Sequence, residues 1–228
     1  MTLDPERRSR YSRQLVIPAI GEAGQERLGA ARVRVVGASG AAAPGLLYLP
    51  LAGVGSIWID DPEPVGAEDA GQWLYPPPTL GEPRARVAAE ALQERSRFVR
   101  LHSSEPPEPP TATLVFATKA SRAVVDAERA RKVGLPLVVA ELDGEGGTVV
   151  TVPVGAPCYS CSRSLGGAWR PPVAGASALG ALAAQELILL LADPAAIGGR
   201  RTILTRGVPS ARPTARLAGC ACGAGIAR

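Results

Sequence analysis

Apolar positions fall in short blocks, punctuated by glycine and proline, and the spacing changes along the chain. RVRVV at Arg32–Val36 is a β-rich run closed by Gly37, which predicts a strand. A small-residue segment follows at 37–43. Pro44 suits the first turn of a helix spanning 44–52, which Gly53 stops. SIWID at Ser56–Asp60 predicts a second strand. Strand, glycine turn, helix and strand within thirty residues open a nucleotide-binding α/β unit.

The middle of the chain repeats the alternation. Residues 83–95 form an amphipathic helix with Val87, Ala91 and Leu92 on one side. Strands are expected at 98–101, 113–117 and 135–140, with a helix at 121–133. The proline-rich stretch 105–110 must be a loop. After Glu141 the period shifts. Gly146–Val152 and 201–205 read as antiparallel strands on either side of a long helix at 176–192. The residues before Arg32 form short polar helices at 4–13 and 21–28. The fold class is α/β: a Rossmann-like, mainly parallel sheet with helices on both faces and an antiparallel C-terminal extension. One domain over 1–228 is expected. It comprises an N-terminal helical arm at 1–31, a nucleotide-binding-type unit at 32–140 and the extension with its cysteine pairs at 141–228.

Composition narrows the function classes. The chain has 228 residues, 46% hydrophobic and 20% charged, with a net charge of +4. That describes a globular core rather than disorder. Arginines are scattered, and the lysines are Lys119 and Lys132, so the charge reads as a solvated surface rather than a nucleic-acid patch. The longest apolar run, 178–192, is interrupted by Gln185 and Glu186, so no membrane span is expected. MTLDPERRSR has no apolar signal core. These features place the protein in the cytoplasm. Cysteines stay reduced there, which favours metal over disulfide for Cys158-x-x-Cys161 and Cys220-x-Cys222. Four thiols in two short turns predict a structural Cys₄ zinc with no open position, against loose thiols or a disulfide. The lone histidine, His102, reads as solvent-facing.

Several segments, in order, resemble the ThiF/MoeB/HesA adenylyltransferases, relatives of the ubiquitin-activating enzymes. They are RYSRQ at 10–14, GQERL at 24–28, ARVRVVG at 31–37, the glycine-rich turn, LAGVG at 51–55 with its strand ending in Asp, and GAPCYSC at 155–161. The long helix and closing cysteine pair follow in family order. The resemblance implies ATP and magnesium, and adenylation of the C-terminal glycine of a small ubiquitin-like or sulfur-carrier protein.

Residue by residue, the implied ATP site is depleted. The family's G-x-G-x-x-G turn reads Gly37-Ala38-Ser39-Gly40-Ala41-Ala42, so Ser39 brings a Cβ where the phosphates approach the backbone. Asp61 matches the family's ribose-binding acid, or else simply starts a loop before Pro62. The family's N-L-Q-R-Q reads Asp69-Ala70-Gly71-Gln72-Trp73. Its G-x-P-K reads Gly81-Glu82-Pro83-Arg84, and the guanidinium of Arg84 is no geometric match for an ammonium. Its T-D-N reads Thr118-Lys119-Ala120, so Lys119 replaces the magnesium-binding aspartate. Lys119 either pairs with a phosphate or is solvated at a helix start; the second is favoured. The loop at 162–175 carries no cysteine, and Val173 falls where the family's thiol would be expected. C-x-C is one residue shorter than the family's closing C-x-x-C, which bears on tetrahedral geometry.

These losses imply a non-catalytic or weakly active family subunit. It would be a homodimer or a heterodimer with an intact member, supporting activation of a ubiquitin-like or sulfur-carrier protein. Zinc is the expected cofactor, and the losses argue against ATP and magnesium. The intact RYSRQ implies that Arg13 reaches a partner subunit's ATP, unless it only fastens the first helix. The alternatives are an active divergent adenylyltransferase and a carrier-binding scaffold that works without nucleotide.

Overall fold

The computed structural model describes residues 3–39, 42–69, 72–117, 120–143, 146–162, 173–205 and 208–223. One sheet of eight strands runs through it, in the order β3-β2-β1-β4-β5-β6-β7-β8. The strands are β1 (Arg32–Val36), β2 (Ser56–Asp60), β3 (Arg100–His102), β4 (Ala112–Ala117), β5 (Leu137–Asp143), β6 (Gly146–Val152), β7 (Arg200–Thr205) and β8 (Val208–Pro213). β1 to β5 pair in parallel, and β6 to β8 continue antiparallel. The helices are α1 (Pro5–Arg10), α2 (Ser12–Leu15), α3 (Gly21–Ala30), α4 (Ala42–Leu51), α5 (Arg84–Gln93), α6 (Ala120–Lys132), α7 (Tyr159–Ser162) and α8 (Val173–Ala192).

Alternation along β1 decides which helix covers which face. Val33 and Val35 point into the larger core, with Leu46 and Leu49 of α4, Val87 and Leu92 of α5, and Leu187 of α8. Val36 points the other way, onto Ala123, Ala127 and Ala130 of α6. Arg34 shares that second face. It is buried there between Asp60 and Asp126 of α6, with its guanidinium 5.2 Å from the centre of the Trp58 ring. Helices therefore cover both faces, as the alternation predicted.

α8 begins three residues before the expected start and is apolar over Gly175–Ala192, with a mean hydropathy of 1.6. The sequence reading found no span of that length. By length and composition this one qualifies, yet it is a core helix. Its leucines pack on the sheet and on α4, and Glu186 reaches Arg200 of β7 and the Thr151 hydroxyl of β6.

β5 runs over Leu137–Asp143 rather than 135–140, and two further strands differ from expectation. β3 is three residues long and starts at Arg100, not at 98, because Phe98 turns back to pack beside Tyr11, with ring centres 6.3 Å apart. β8 is exposed throughout and lacks any apolar pattern, so its sequence gave no strand signal. Thr214 N–H donates to the Gly199 carbonyl at 3.1 Å, so even-numbered residues face β7. Pro209 and Pro213 therefore turn their donor-less nitrogens outward, and Ala211 is the one outward N–H of the strand.

Candidate functional site

In a sheet with this strand order, the crevice lies beyond the carboxyl ends of β1 and β4, where the winding direction reverses. Gly37 leaves β1 there with φ +85°. A Cβ on it would sit 2.7 Å from the Phe116 carbonyl oxygen of β4. Glycine is required on both counts. The turn is then pinned from two directions. The Ala38 N–H donates to Asp61 Oδ2 at 2.8 Å, and the Tyr75 hydroxyl donates to the Ala38 carbonyl at 2.7 Å. Tyr75 is fully buried. Burial, followed by the charges of Asp69 and Asp61, pushes its phenol well above the usual value, so it serves as a neutral donor.

Asp61 sits at the end of β2, where the sequence placed it, but it faces inward, with a side chain only 5% exposed. Oδ1 accepts the Glu63 N–H at 2.9 Å, the local turn expected before Pro62. Oδ2 accepts Arg84 as well as Ala38, at 3.0 Å. Arg84 opens α5 and is 8% exposed. Its Nε and Nη2 both reach Asp69 Oδ2, at 3.0 and 2.8 Å. Burial pulls the Arg84 pKa down, but the hydrogen bonds and charges of Asp61 and Asp69 together outweigh it and hold the pKa above its ordinary value. Asp69 is completely buried. Its Oδ2 also takes the Gly66 N–H at 3.1 Å, while Oδ1 has no partner among the described residues.

Three positions that the sequence treated separately thus form one closed cluster: two carboxylates on one guanidinium. The sequence had marked Asp69 only as a replacement in the family's N-L-Q-R-Q stretch and Arg84 only as a poor geometric match for the family's lysine. Ser39 is half-buried, and its carbonyl accepts the Ala42 N–H at 3.0 Å, the first turn of α4. Gly40 and Lys119 lie outside the described residues.

The structure separates the RYSRQ segment of the N-terminal arm into buried and exposed residues. Tyr11 is buried, and it stands so close to Gly53 that a Cβ there would lie 2.7 Å from its ring. Arg13 on α2 is exposed, and no hydrogen bond or ion pair ties it to another described residue. Tyr11 therefore does the fastening, and Arg13 is left outside it. His102 is half-buried rather than solvent-facing. Its Nε2 is 3.1 Å from the Ser56 hydroxyl on the neighbouring strand.

At the far side of the molecule the four cysteines converge, with all their sulfurs within 4.8 Å of one another, close enough to hold a metal ion. Cys158 Sγ is 3.8 Å from Cys161 and 3.6 Å from Cys220; Cys161 is 3.6 Å from Cys222. Tetrahedral thiolate ligation at about 2.3 Å puts sulfurs about 3.8 Å apart, so the donors fit. The shortened C-x-C pair reaches the same centre, correcting the expected difficulty. The Leu217 N–H points at Cys161 Sγ, at 3.4 Å, which steadies a thiolate. Burial pushes the Cys158 thiol up to about 12, while a backbone hydrogen bond at Cys158 pulls Cys222 down to about 6.

Fold and topology together define a Rossmann-like α/β protein with an antiparallel extension of its sheet. The ThiF family pattern matches residues 11–194, and the chain belongs to that family. A sulfur carrier protein adenylyltransferase of Thermus thermophilus is 41% identical over 99 residues, covering 43% of this chain and 36% of that one. A SAMP-activating enzyme E1 of Haloferax volcanii is 31% identical over 175 residues, 71% of this chain and 64% of that one. The match therefore spans less than two thirds of either relative. E. coli MccB, in a crystal structure with ATP, superposes with a TM-score of 0.77 at 16% identity, covering 96% of this chain and 74% of that one, which confirms the fold.

Proposed function

We propose that this chain is a ThiF-family subunit that supports activation of a ubiquitin-like or sulfur-carrier protein while adenylating little or nothing at its own site. The observation that carries this reading is the engagement of Arg84, the residue at the family's phosphate-binding lysine position, by two buried aspartates. Ser39 in the glycine turn and Lys119 at the magnesium position add to it. The relatives named above are adenylyltransferases or activating enzymes by description, which supports the carrier class. Arg13 is the residue that acts in trans. Exposed and unpaired among the described residues, it is available to a partner's nucleotide, in a homodimer or in a heterodimer with an intact member. Zinc held by Cys158, Cys161, Cys220 and Cys222 is structural, because four protein ligands leave no open position.

Two measurements test this. Purified protein should show negligible ATP–pyrophosphate exchange; robust exchange that disappears on mutating Asp61 would instead establish the second reading, an active divergent adenylyltransferase, which the descriptions of the relatives favour. In a complex with an intact family member, Arg13→Ala should slow adenylation by on the order of 10³-fold, the scale of an arginine supplied in trans to a phosphate. If the complex assembles and its rate is unchanged, Arg13 has no such role.

A further inference from the structure

We propose that Asp69 is the residue that decides whether this crevice accepts a triphosphate. The inference deepens the reading of the crevice as the family's nucleotide site and rests on it. Asp61 matches the family's acid and Arg84 keeps the positive charge of the family's lysine, so neither residue alone explains a closed site. What closes it is the third member. Asp69 Oδ2 takes two of the guanidinium's donors, Nε and Nη2, and turns the remaining contact, Nη1, onto Asp61.

The carboxylate form matters more than the position. Hydrogen bonds between a guanidinium and a carboxylate are roughly twice as strong as neutral ones. They sit here on a fully buried oxygen, where water does not compete. An amide at the same place would keep the shape and the Gly66 contact but reduce the hold on Arg84 to that of a neutral acceptor. It would also remove one of two negative charges from the approach of a polyanion, and such charges act strongly at low dielectric. Asp69 Oδ1 bears on this independently. It is a buried carboxylate oxygen with no partner among the described residues. Asparagine would be no worse packed, so packing alone does not call for the acid.

The glycine turn does not depend on this clamp. Tyr75 holds Ala38 through its carbonyl, and Asp61 holds it through its N–H. Loosening Asp69 therefore leaves Arg84 anchored to Asp61 through Nη1, with Nε and Nη2 more available to a phosphate, while the turn keeps its shape.

The test uses the full chain, wild type and Asp69→Asn, titrated with Mg-ATP and separately with adenosine by calorimetry, with thermal melts to establish folding. Asp69→Asn should bind Mg-ATP at least about tenfold more tightly than wild type, while adenosine affinity changes less than about twofold, because only the polyanion feels the removed charge. Asp69→Ser should shift Mg-ATP binding in the same direction, and it carries the test if the amide variant does not fold. Equal Mg-ATP affinity in folded wild type and variant overturns the proposal. So does a gain that is the same for adenosine. Pyrophosphate exchange by the wild type would sink the proposed function but not this inference, which stands or falls on the affinity ratio alone.

Discussion

Arg84→Ala should lower the unfolding free energy by about 3–5 kcal/mol, the scale found when one partner of a buried ion cluster is removed. The loss arises less from missing attraction than from what is left behind. Asp61 and Asp69 would face each other across a cavity, with side chains 5% and 0% exposed and no cation between them. Urea denaturation at neutral pH reads the effect as a drop in midpoint at unchanged slope. Arg86, two residues further along α5, provides the control. It pairs with Glu82 and Glu90 on the exposed side of the same helix, and Arg86→Ala should leave the midpoint where it was. Arg84→Ala in the Asp69→Asn background should recover part of the loss, since one of the two stranded charges is gone. A wild-type midpoint for Arg84→Ala would mean that the cluster is far more hydrated than its burial indicates.

The second large effect is expected at the cysteines. Purified protein should carry one zinc per chain, and Cys158→Ser should carry none. Structural zinc sites are coupled to folding by on the order of 10 kcal/mol, so the loss is not a local matter. Cys158 and Cys161 lie at α7 beside β6, while Cys220 and Cys222 follow β8. The metal thus closes a loop that contains α8, β7 and β8. Its removal by chelation should lower the melting temperature and expose the segment after Thr205 to protease first. Elemental analysis of reduced protein showing no zinc, or a Cys158→Ser protein with wild-type melting and cleavage, would defeat the assignment.

How far the sequence revealed all this depends on what kind of signal each feature leaves. β1, β2 and β6 were legible to the residue, because a buried strand is a short β-branched run with glycine or a turn beside it. The covering of both faces followed from the alternation of strands and helices. β8 was invisible, since an exposed edge strand needs no apolar pattern and this one carries two prolines. The cysteine cluster was legible from spacing and the expected reducing compartment, although the shortened pair argued for poorer geometry than the structure shows. The cluster of Asp61, Asp69 and Arg84 was legible only as one matching residue and two separate substitutions. Its members are eight and fifteen residues apart, on a strand end, a turn and a helix start, and no local pattern announces an ion pair across such separations. That Tyr11 is buried while Arg13 is exposed was equally hidden, because the segment carries no pattern that separates the two.

The outward prolines of β8 limit how this protein can associate. A neighbour seeking to lengthen the sheet at that margin would need main-chain donors, and 208–213 offers it only the N–H of Ala211. Stacking copies edge to edge into a filament through this strand is therefore disfavoured even at high local concentration. A subunit that joins the chain at this end finds an incomplete backbone ladder, so side-chain contacts, where partners can be told apart, must supply much of the recognition.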